Sequence, residues 1–362
     1  MNKNVILVII MILIVGAIGY LEVAKERGSQ SNNEQIQQIA STTQNRLMNI
    51  KEKAKKYPSA VEIMPGGQFI NSGPFTLKSL IGKKVILVDF WTYTCINCQR
   101  TTPYLNAWYS KYEDQGFVIV GVHSPEFEFE KDYDNVLKAV QKAGIKYPVV
   151  QDNDFSTWRA YGNRFWPHKY LIDIDGYIIY DHIGEGAYKE TEKIIQGALK
   201  ERSLVLELKD SVDTNIANPS NVINVDSSKV QSPETYFGFF RNEYLGNGKK
   251  SAPGDQTLSF PNNPSINTLY LDGVWNFQNE FAENKSAGAK IKFIYNAKNI
   301  YFVASSSEGT TIKIFQDGKL FKETSIKEYA LYTLIQGTDY GQHTLDIEID
   351  NPGLKAFTFT FG

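Results

Sequence analysis

The chain has two cysteines, Cys95 and Cys98, and they are separated by two residues. A C-x-x-C pair can form half of a zinc site, a pair of inert thiols or a redox-active dithiol. A structural zinc site needs four ligands, but the sequence has no second cysteine pair and no histidines at zinc-finger spacing. A metal site is therefore not expected. The choice lies between inert thiols and a dithiol that exchanges with disulfides.

The sequence on either side of the pair favours the redox dithiol. An apolar run at residues 85–90 predicts a buried strand just before it. After it, large apolar side chains recur at helical spacing, at Leu105, Trp108, Tyr109 and Tyr112. Cys95 is thus predicted at a helix N-terminus, where free N–H groups and the helix dipole stabilise a thiolate. Cys98 follows one turn later, where it can resolve a mixed disulfide.

Further elements along the chain predict a compact α/β domain over residues 59–204. A second buried strand is predicted at residues 117–122, and a helix over 136–143 ends at a glycine suited to a left-handed cap. A hairpin is predicted around the Asp175-Gly176 turn, followed by a helix over 194–199. The first strand–helix–strand crossover is expected to be right-handed.

The N-terminus predicts a membrane attachment. Residues 5–21 are apolar and uncharged, at the lower end of the length that spans a bilayer as a helix. We expect residues 1–22 to be an N-terminal transmembrane helix, with a cleaved signal peptide as the alternative. The polar residues 23–58 are expected to form a stalk. The protein is therefore predicted to be single-pass in the cell membrane, with its catalytic domain on the extracytoplasmic side.

The C-terminal third predicts a different architecture. Residues 205–231 have the composition of a linker, and the chain then alternates apolar and polar residues at 291–295, 345–349 and 357–361. This alternation is typical of an antiparallel all-β sandwich, jelly-roll-like, over residues 232–362. The formal net charge of −2 lacks the basic excess of a nucleic-acid-binding protein, so no nucleic acid partner is expected.

The motif DFWTYTCINC, residues 89–98, resembles the active-site segment of thioredoxins. Asp89, Pro103 and Pro167 match the family's buried carboxylate, helix-kinking proline and cis-proline. The segments GVHSPEFEFEKDYDNV, YPVVQDN and GEGAY resemble the thioredoxin-like domain of DipZ-type, TlpA-like proteins. Residues 232–362 resemble the carbohydrate-binding-module-like domain that follows in the same proteins.

This resemblance implies a thiol–disulfide oxidoreductase that reduces protein or small-molecule disulfides. Cys95 is the expected nucleophile and Cys98 the resolving thiol. Asp89 is expected to exchange a proton with Cys98, with a local hydrogen-bonding role as the alternative. Trp166 is expected to offer its backbone to the substrate beside a cis Pro167, and an ordinary strand-start proline is the alternative.

Two departures from the family pattern have consequences. No multi-helix CcdA-like domain precedes the dithiol, so a separate membrane electron donor is expected. Some TlpA-like reductases carry a glutamate where this chain has Thr101. His123 and Glu126 follow the second strand, and we expect them near the dithiol as substitute acids, with loop capping as an equal alternative. Trp91 is expected to pack at the active-site edge, and no cofactor is predicted.

Two other functions stay open. A thiol peroxidase shares the fold, and Thr92 fits its active-site pattern, although Val88 stands where a proline belongs. The protein could instead be a cell-surface glycan-binding protein whose thioredoxin-like domain is incidental. The candidate stacking residues for a sugar are Tyr236, Phe239, Phe240, Tyr270 and Trp275, and burial in the β core is their alternative.

Overall fold

The computed structural model describes residue 44 and residues 46–209, 211–220 and 222–362. Residues 60–362 form one compact unit, which is separate from the described residues before it. Among those earlier residues, residues 46–56 form helix α1. Among the described residues, no helix is long and apolar enough to cross a membrane. The anchor predicted at residues 5–21 lies outside the described residues.

A six-stranded mixed sheet forms the centre of the α/β domain. Its strands are β1 (Phe69–Ile70), β2 (Val85–Trp91), β3 (Phe117–His123), β4 (Val149–Gln151), β5 (His168–Ile172) and β6 (Ile178–Ile183). Their order across the sheet is β1-β4-β3-β2-β5-β6. The central strands β2, β3 and β4 are parallel, whereas β5 and β6 form the predicted antiparallel hairpin.

Helices cover both faces of this sheet. They are α2 (Leu77–Leu80), α3 (Ile96–Tyr112), α4 (Tyr133–Lys142), α5 (Ser156–Ala160) and α6 (Tyr188–Val205). Residues of α3, α4 and α6 pack on one face, and residues of α2 and α5 pack on the other. All seven residues of β2 are buried, as expected for a parallel strand covered on both sides. The predicted α/β thioredoxin-like class is confirmed.

Nine antiparallel strands form the C-terminal domain. They are β7 (Thr235–Tyr236), β8 (Gly254–Leu258), β9 (Leu269–Phe277), β10 (Ala282–Asn284), β11 (Ala289–Ser305), β12 (Thr310–Gln316), β13 (Lys319–Ile326), β14 (Ala330–Ile349) and β15 (Lys355–Phe361). The long β11 pairs with β9 along its first part and with β15 along its second. The strands therefore form one hydrogen-bonded network instead of two separate sheets, and the predicted all-β class is confirmed.

The last strand departs from the predicted alternation. Phe359 and Phe361 point into the β core as expected, but Phe357 faces the α/β domain. The register of β15 against β11 shifts beside this residue, because Val303 pairs with Thr358 while Ala304 pairs with Ala356. An extra residue of this kind reverses the face of a side chain. The sequence pattern alone does not reveal the shift.

Phe357 belongs to an aromatic cluster that joins the two domains, the interface cluster, with Phe127, Phe129 and Tyr329. The Phe129 ring centroid lies 4.8 Å from that of Phe357 and 4.6 Å from that of Tyr329, and Phe127 lies 5.2 Å from Phe357. Such a cluster buries much apolar area at low cost in flexibility. The two domains consequently pack as one body, which the sequence did not predict.

Candidate active site

The turn between β2 and α3 places Cys95 at the start of a helix. Cys95 is the N-cap residue of α3, and its Sγ accepts a hydrogen bond from the backbone N–H of Cys98 at 3.3 Å. Its side chain is half-buried, and both cysteines are free thiols. An N–H donor and the positive end of the helix dipole favour a thiolate at this position. The structure thus places Cys95 at a helix N-terminus, the position that the sequence predicted.

Cys98 is enclosed by the protein, with 2% of its surface exposed. Burial, followed by the hydrogen bond with Cys95, raises the pKa of the Cys98 thiol well above its ordinary value. A thiol with a raised pKa stays protonated and cannot attack until a base removes its proton. The half-buried sulfur of Cys95 is therefore accessible to a substrate, whereas the buried thiol of Cys98 needs a proton acceptor.

The loop before β5 lies against the sulfur of Cys95. The Trp166–Pro167 peptide bond is cis, as predicted. The carbonyl oxygen of Trp166 lies 3.9 Å from Cys95 Sγ, and the thiol donates toward it. Trp166 is itself held by a hydrogen bond from its Nε1 to the carbonyl of Ser124 at 3.1 Å. Backbone groups next to Pro167 thus lie beside the nucleophile.

Asp89 lies in β2 beneath the dithiol and is 2% exposed. Burial raises the pKa of Asp89 from 3.8 to about 7. Its Oδ1 has no hydrogen-bond partner among the described residues, so the alternative role in local hydrogen bonding finds no support at that oxygen. A carboxyl group that titrates near neutral pH can both take up and release a proton.

The cross-strand neighbour of Asp89 is Lys169 in β5, and this lysine is fully buried. Its Nζ donates to the carbonyl of Gly184 at 2.9 Å. Burial lowers the pKa of Lys169, while the charges of Asp89 and Cys98 raise it. In turn, the charge of Lys169 counteracts the rise in the pKa of Asp89. The sequence pattern did not single out this lysine, because its partner lies 80 residues away in the chain and meets it only across two strands.

His123 lies near the active-site turn, enclosed by aromatic side chains. It is fully buried and stacks on Tyr93 with ring centroids 5.8 Å apart. Burial lowers the pKa of His123 to about 3, so the ring is neutral at physiological pH. The burial of His123 and its lowered pKa therefore do not support the expectation that it supplies an acid. Trp91 packs edge-on against it at 5.1 Å and is 4% exposed, consistent with the predicted packing role.

Glu126 points to the C-terminal domain instead of the dithiol. Its Oε1 accepts hydrogen bonds from the Tyr236 hydroxyl at 2.8 Å and from Arg241 Nη1 at 2.9 Å. The expectation that Glu126 replaces the missing family glutamate is corrected accordingly. These two hydrogen bonds hold the Glu126 side chain at the domain interface. No local sequence pattern could show that position.

Glu130, four residues later, is the glutamate that reaches the active-site turn. It is fully buried, and its Oε1 accepts a hydrogen bond from the Thr94 hydroxyl at 2.5 Å, directly before Cys95. Its Oε2 accepts from the backbone N–H of Glu126 at 2.6 Å. Burial raises the pKa of Glu130 to about 7. Glu130 thus ties the turn that carries the nucleophile to the loop after β3.

An ion pair between the buried Arg100 and the partly exposed Glu185 holds the first turns of α3. Arg100 donates from Nε and Nη2 to the Glu185 carboxylate at 2.8 and 2.7 Å. Nη2 also donates at 2.5 Å to Oδ1 of Asn97, which lies between the two cysteines. The guanidinium lies 5.9 Å from the ring centroid of Tyr301 in the C-terminal domain. The C-terminal domain therefore contacts the helix on which the dithiol lies.

The aromatic residues considered for sugar stacking do not form a platform. Trp275 is fully buried and Tyr270 is 5% exposed, so neither can stack on a sugar. Tyr236 is engaged with Glu126, and Phe239 packs against the β core. Of these residues only Phe240 is exposed. The structure therefore gives no support to a sugar-stacking platform built from these five residues.

Three carboxylates cluster at the end of β5. Oxygen atoms of Asp173, Asp175 and Glu201 come within 4.8 Å of one another. The group lies at the opposite end of β5 from Pro167, and the Asp173 carboxylate already accepts hydrogen bonds from the backbone N–H groups of Asp175 and Tyr177. It has no evident connection with the dithiol.

Comparisons with known proteins agree with this arrangement. The Redoxin family matches residues 70–199, and the family described as Thioredoxin like C-terminal domain matches residues 232–362. Protein DipZ of Mycobacterium tuberculosis is 35% identical over 291 residues, covering 80% of this chain and 40% of that protein. The thiol-disulfide oxidoreductase YkuV of Bacillus subtilis is 30% identical over 130 residues, covering 36% of this chain and 87% of that protein.

A solved structure of a putative thiol:disulfide interchange protein DsbE from Chlorobium tepidum is 26% identical, with a TM-score of 0.36. The aligned region covers 40% of this chain and 97% of the chain in the solved structure. The present chain spans about 40% of the length of the DipZ relative. YkuV, in contrast, is matched over 87% of its length. The chain belongs to the thioredoxin family of thiol–disulfide oxidoreductases, and within it resembles the DipZ-type, TlpA-like proteins.

Proposed function

We propose that this protein reduces disulfide bonds in protein or small-molecule substrates through Cys95 and Cys98. The observation that carries the proposal is the position of Cys95 Sγ. It caps α3, accepts the Cys98 N–H at 3.3 Å, and lies 3.9 Å from the Trp166 carbonyl. One sulfur is thus half-exposed at a helix N-terminus, beside backbone groups that can align a substrate strand.

The reaction proceeds in two exchanges. The Cys95 thiolate attacks one sulfur of a substrate disulfide, forms a mixed disulfide with it, and releases the other sulfur as a thiolate that takes a proton from solvent. The Cys98 sulfur then attacks Cys95 Sγ and releases the second substrate sulfur. The Cys95–Cys98 disulfide that forms has given two electrons to the substrate. A separate dithiol donor must reduce it again.

Asp89 serves the second exchange as proton acceptor. Cys98 has a raised pKa and must lose its proton as it attacks. The pKa of Asp89, about 7, allows this carboxyl group to take up that proton near neutral pH and release it afterwards. Lys169, opposite it, keeps enough of Asp89 ionised for the transfer.

The apolar run at residues 5–21 supports a membrane anchor, and the polar residues 23–58 support a stalk. We place the thioredoxin-like domain at 59–204, a linker at 205–231 and the β domain at 232–362, all outside the cytoplasm. The electron donor is then a separate, CcdA-like membrane protein. A membrane-impermeant maleimide tests the orientation, because the chain has no cysteine besides the active-site pair. It should label Cys95 in intact cells, and labelling only after lysis would contradict the proposal.

The test of the chemistry uses hydroxyethyl disulfide, a small neutral substrate. The reduced protein should reduce it, and Cys95→Ser should abolish the reaction. Cys98→Ser should stop at a mixed disulfide between Cys95 and one mercaptoethanol moiety, visible by mass spectrometry. Wild-type turnover by Cys98→Ser would contradict the proposed roles. Rapid consumption of hydrogen peroxide by the same variant would instead favour a thiol peroxidase.

A further inference from the structure

A cleft of about 410 Å³ lies between the two domains. One wall comes from the active-site turn and from α3 and α4, and the other comes from residues 328–331 at the start of β14. The interface cluster, which includes Tyr329, fixes these walls relative to each other. The cleft therefore exists only because the β domain is packed on the thioredoxin-like domain.

The cleft is lined by residues on both sides of the dithiol in the sequence, although neither cysteine lines it. Tyr93, which lines it, precedes Cys95 by two residues, and Gln99 directly follows Cys98. At 1.5 Å per residue, Gln99 lies about 6 Å along the axis of α3 from the nucleophile. A peptide whose disulfide reaches Cys95 can therefore place a neighbouring side chain in the cleft.

The interior of the cleft suits an apolar or aromatic side chain. Its walls include Tyr93, Ala139, Tyr329 and Leu331. The Tyr93 hydroxyl, on a side chain 7% exposed, has no hydrogen-bond partner among the described residues. A buried hydroxyl without a partner carries a desolvation cost that a bound polar group can remove.

The rim of the cleft carries more positive than negative charge. Lys138 and Lys142 lie one helical turn apart on α4, and both are exposed. Neither forms an ion pair with another described residue, whereas Lys131 before α4 is paired with Glu128. Glu328 faces them from the β domain and is the acidic residue of the described lining. Two unpaired lysines against one glutamate favour an anionic group at the rim.

We propose that this cleft binds the part of a peptide substrate that flanks its disulfide and carries an aromatic or aliphatic side chain next to a carboxylate. The proposal rests on the disulfide reductase activity proposed above and adds the substrate class. It also assigns a role to the β domain, which supplies one wall of the substrate site. The apolar side chain enters between Tyr93 and Leu331, and the carboxylate meets Lys138 and Lys142.

The test compares two synthetic peptides of equal length, each closed by one disulfide and differing only in the flanking pair Asp-Phe or Lys-Ser. The reduced full-length protein should show a kcat/KM at least about tenfold higher for the Asp-Phe peptide, because the burial of one ring gives roughly that factor and two weak ion pairs add to it. Hydroxyethyl disulfide, which is too small to use the cleft, reports the reactivity of the dithiol itself.

Charge changes on the two walls should act in opposite directions. The double variant Lys138→Glu/Lys142→Glu should abolish or reverse the preference, whereas Glu328→Lys should increase it about threefold. The increase cannot result from misfolding. The matched control Lys193→Glu/Lys200→Glu makes the same charge change on exposed positions of α6, which do not line the cleft, and should keep the wild-type preference.

A binding measurement separates the two proposals. Linear Asp-Phe and Lys-Ser peptides with serine in place of cysteine are titrated calorimetrically into the Cys95→Ser/Cys98→Ser protein. Tighter binding of the Asp-Phe peptide supports the cleft even if no disulfide is reduced. If the two peptides bind equally and have equal kcat/KM while hydroxyethyl disulfide is still reduced, the proposed role of the cleft is overturned. The proposed disulfide reductase activity is then unaffected.

Discussion

Replacing Asp89 by asparagine should stabilise the protein while slowing its chemistry. In the folded protein the pKa of Asp89 is raised to about 7 by burial, from an ordinary value of 3.8. A carboxyl group with a raised pKa resists ionisation in the folded state. Its contribution to stability is therefore complete below about pH 3.8 and is lost as the pH rises through 7. Asparagine has nearly the same shape and does not ionise, so it avoids this loss.

The expected gain follows from the pKa shift. A rise from 3.8 to about 7 corresponds to ~4 kcal/mol of unfolding free energy at pH 8 and to less than about 1 kcal/mol at pH 4. The value at pH 8 is an upper bound, because Asp89→Asn also removes the negative charge beside the buried Lys169. We expect a gain of at least about 2 kcal/mol at pH 8.

Guanidinium unfolding at pH 4 and pH 8 measures this gain, with Asp114→Asn as a control at an exposed aspartate. The same variant should resolve mixed disulfides more slowly, and its rate should no longer rise with pH through about 7. A gain of equal size at both pH values, or a loss of stability at pH 8, would refute the burial argument. An unchanged pH–rate profile would refute the role of Asp89 as proton acceptor.

Three other changes give further predictions. Lys169→Met removes the charge that holds down the pKa of Asp89, so the pH–rate profile of the resolving step should shift to higher pH. Glu185→Gln leaves Arg100 buried without its anion and should lower the unfolding free energy by about 2–4 kcal/mol in denaturant titrations. Phe129→Ala removes the centre of the interface cluster and should cost about 3 kcal/mol. It should also loosen the two domains, seen as faster proteolysis between them. Unchanged values in these measurements would contradict the corresponding contacts.

The sequence predicted much of the α/β domain because its signals are local. The apolar run of β2, the spacing of apolar residues in α3 and the Asp175-Gly176 turn each act over a few neighbouring residues. The short elements β1, β4 and α5 were missed, because two to five residues carry too little periodicity. The position of Cys95 at a helix N-terminus followed from the same local signals.

The acids and bases around the dithiol could not be predicted in this way. Glu126 and Glu130 both lie in the segment EFEFEK, each next to a phenylalanine, yet only Glu130 reaches Thr94. Which of them faces the turn depends on how the loop after β3 packs against the β domain. The charge of His123 likewise depends on complete burial, which no spacing rule gives.

The amino-acid sequence by itself determined that a single C-x-x-C pair follows a buried strand and begins a helix, because chain geometry over ten residues suffices for that. Only the tertiary structure decided which buried groups share the dithiol's environment and that the β domain forms part of the surface beside it. Lys169 meets Asp89 across two strands, and Phe357 meets Phe129 across two domains. Such contacts between residues distant in the chain arise from packing, and packing is a property of the folded whole.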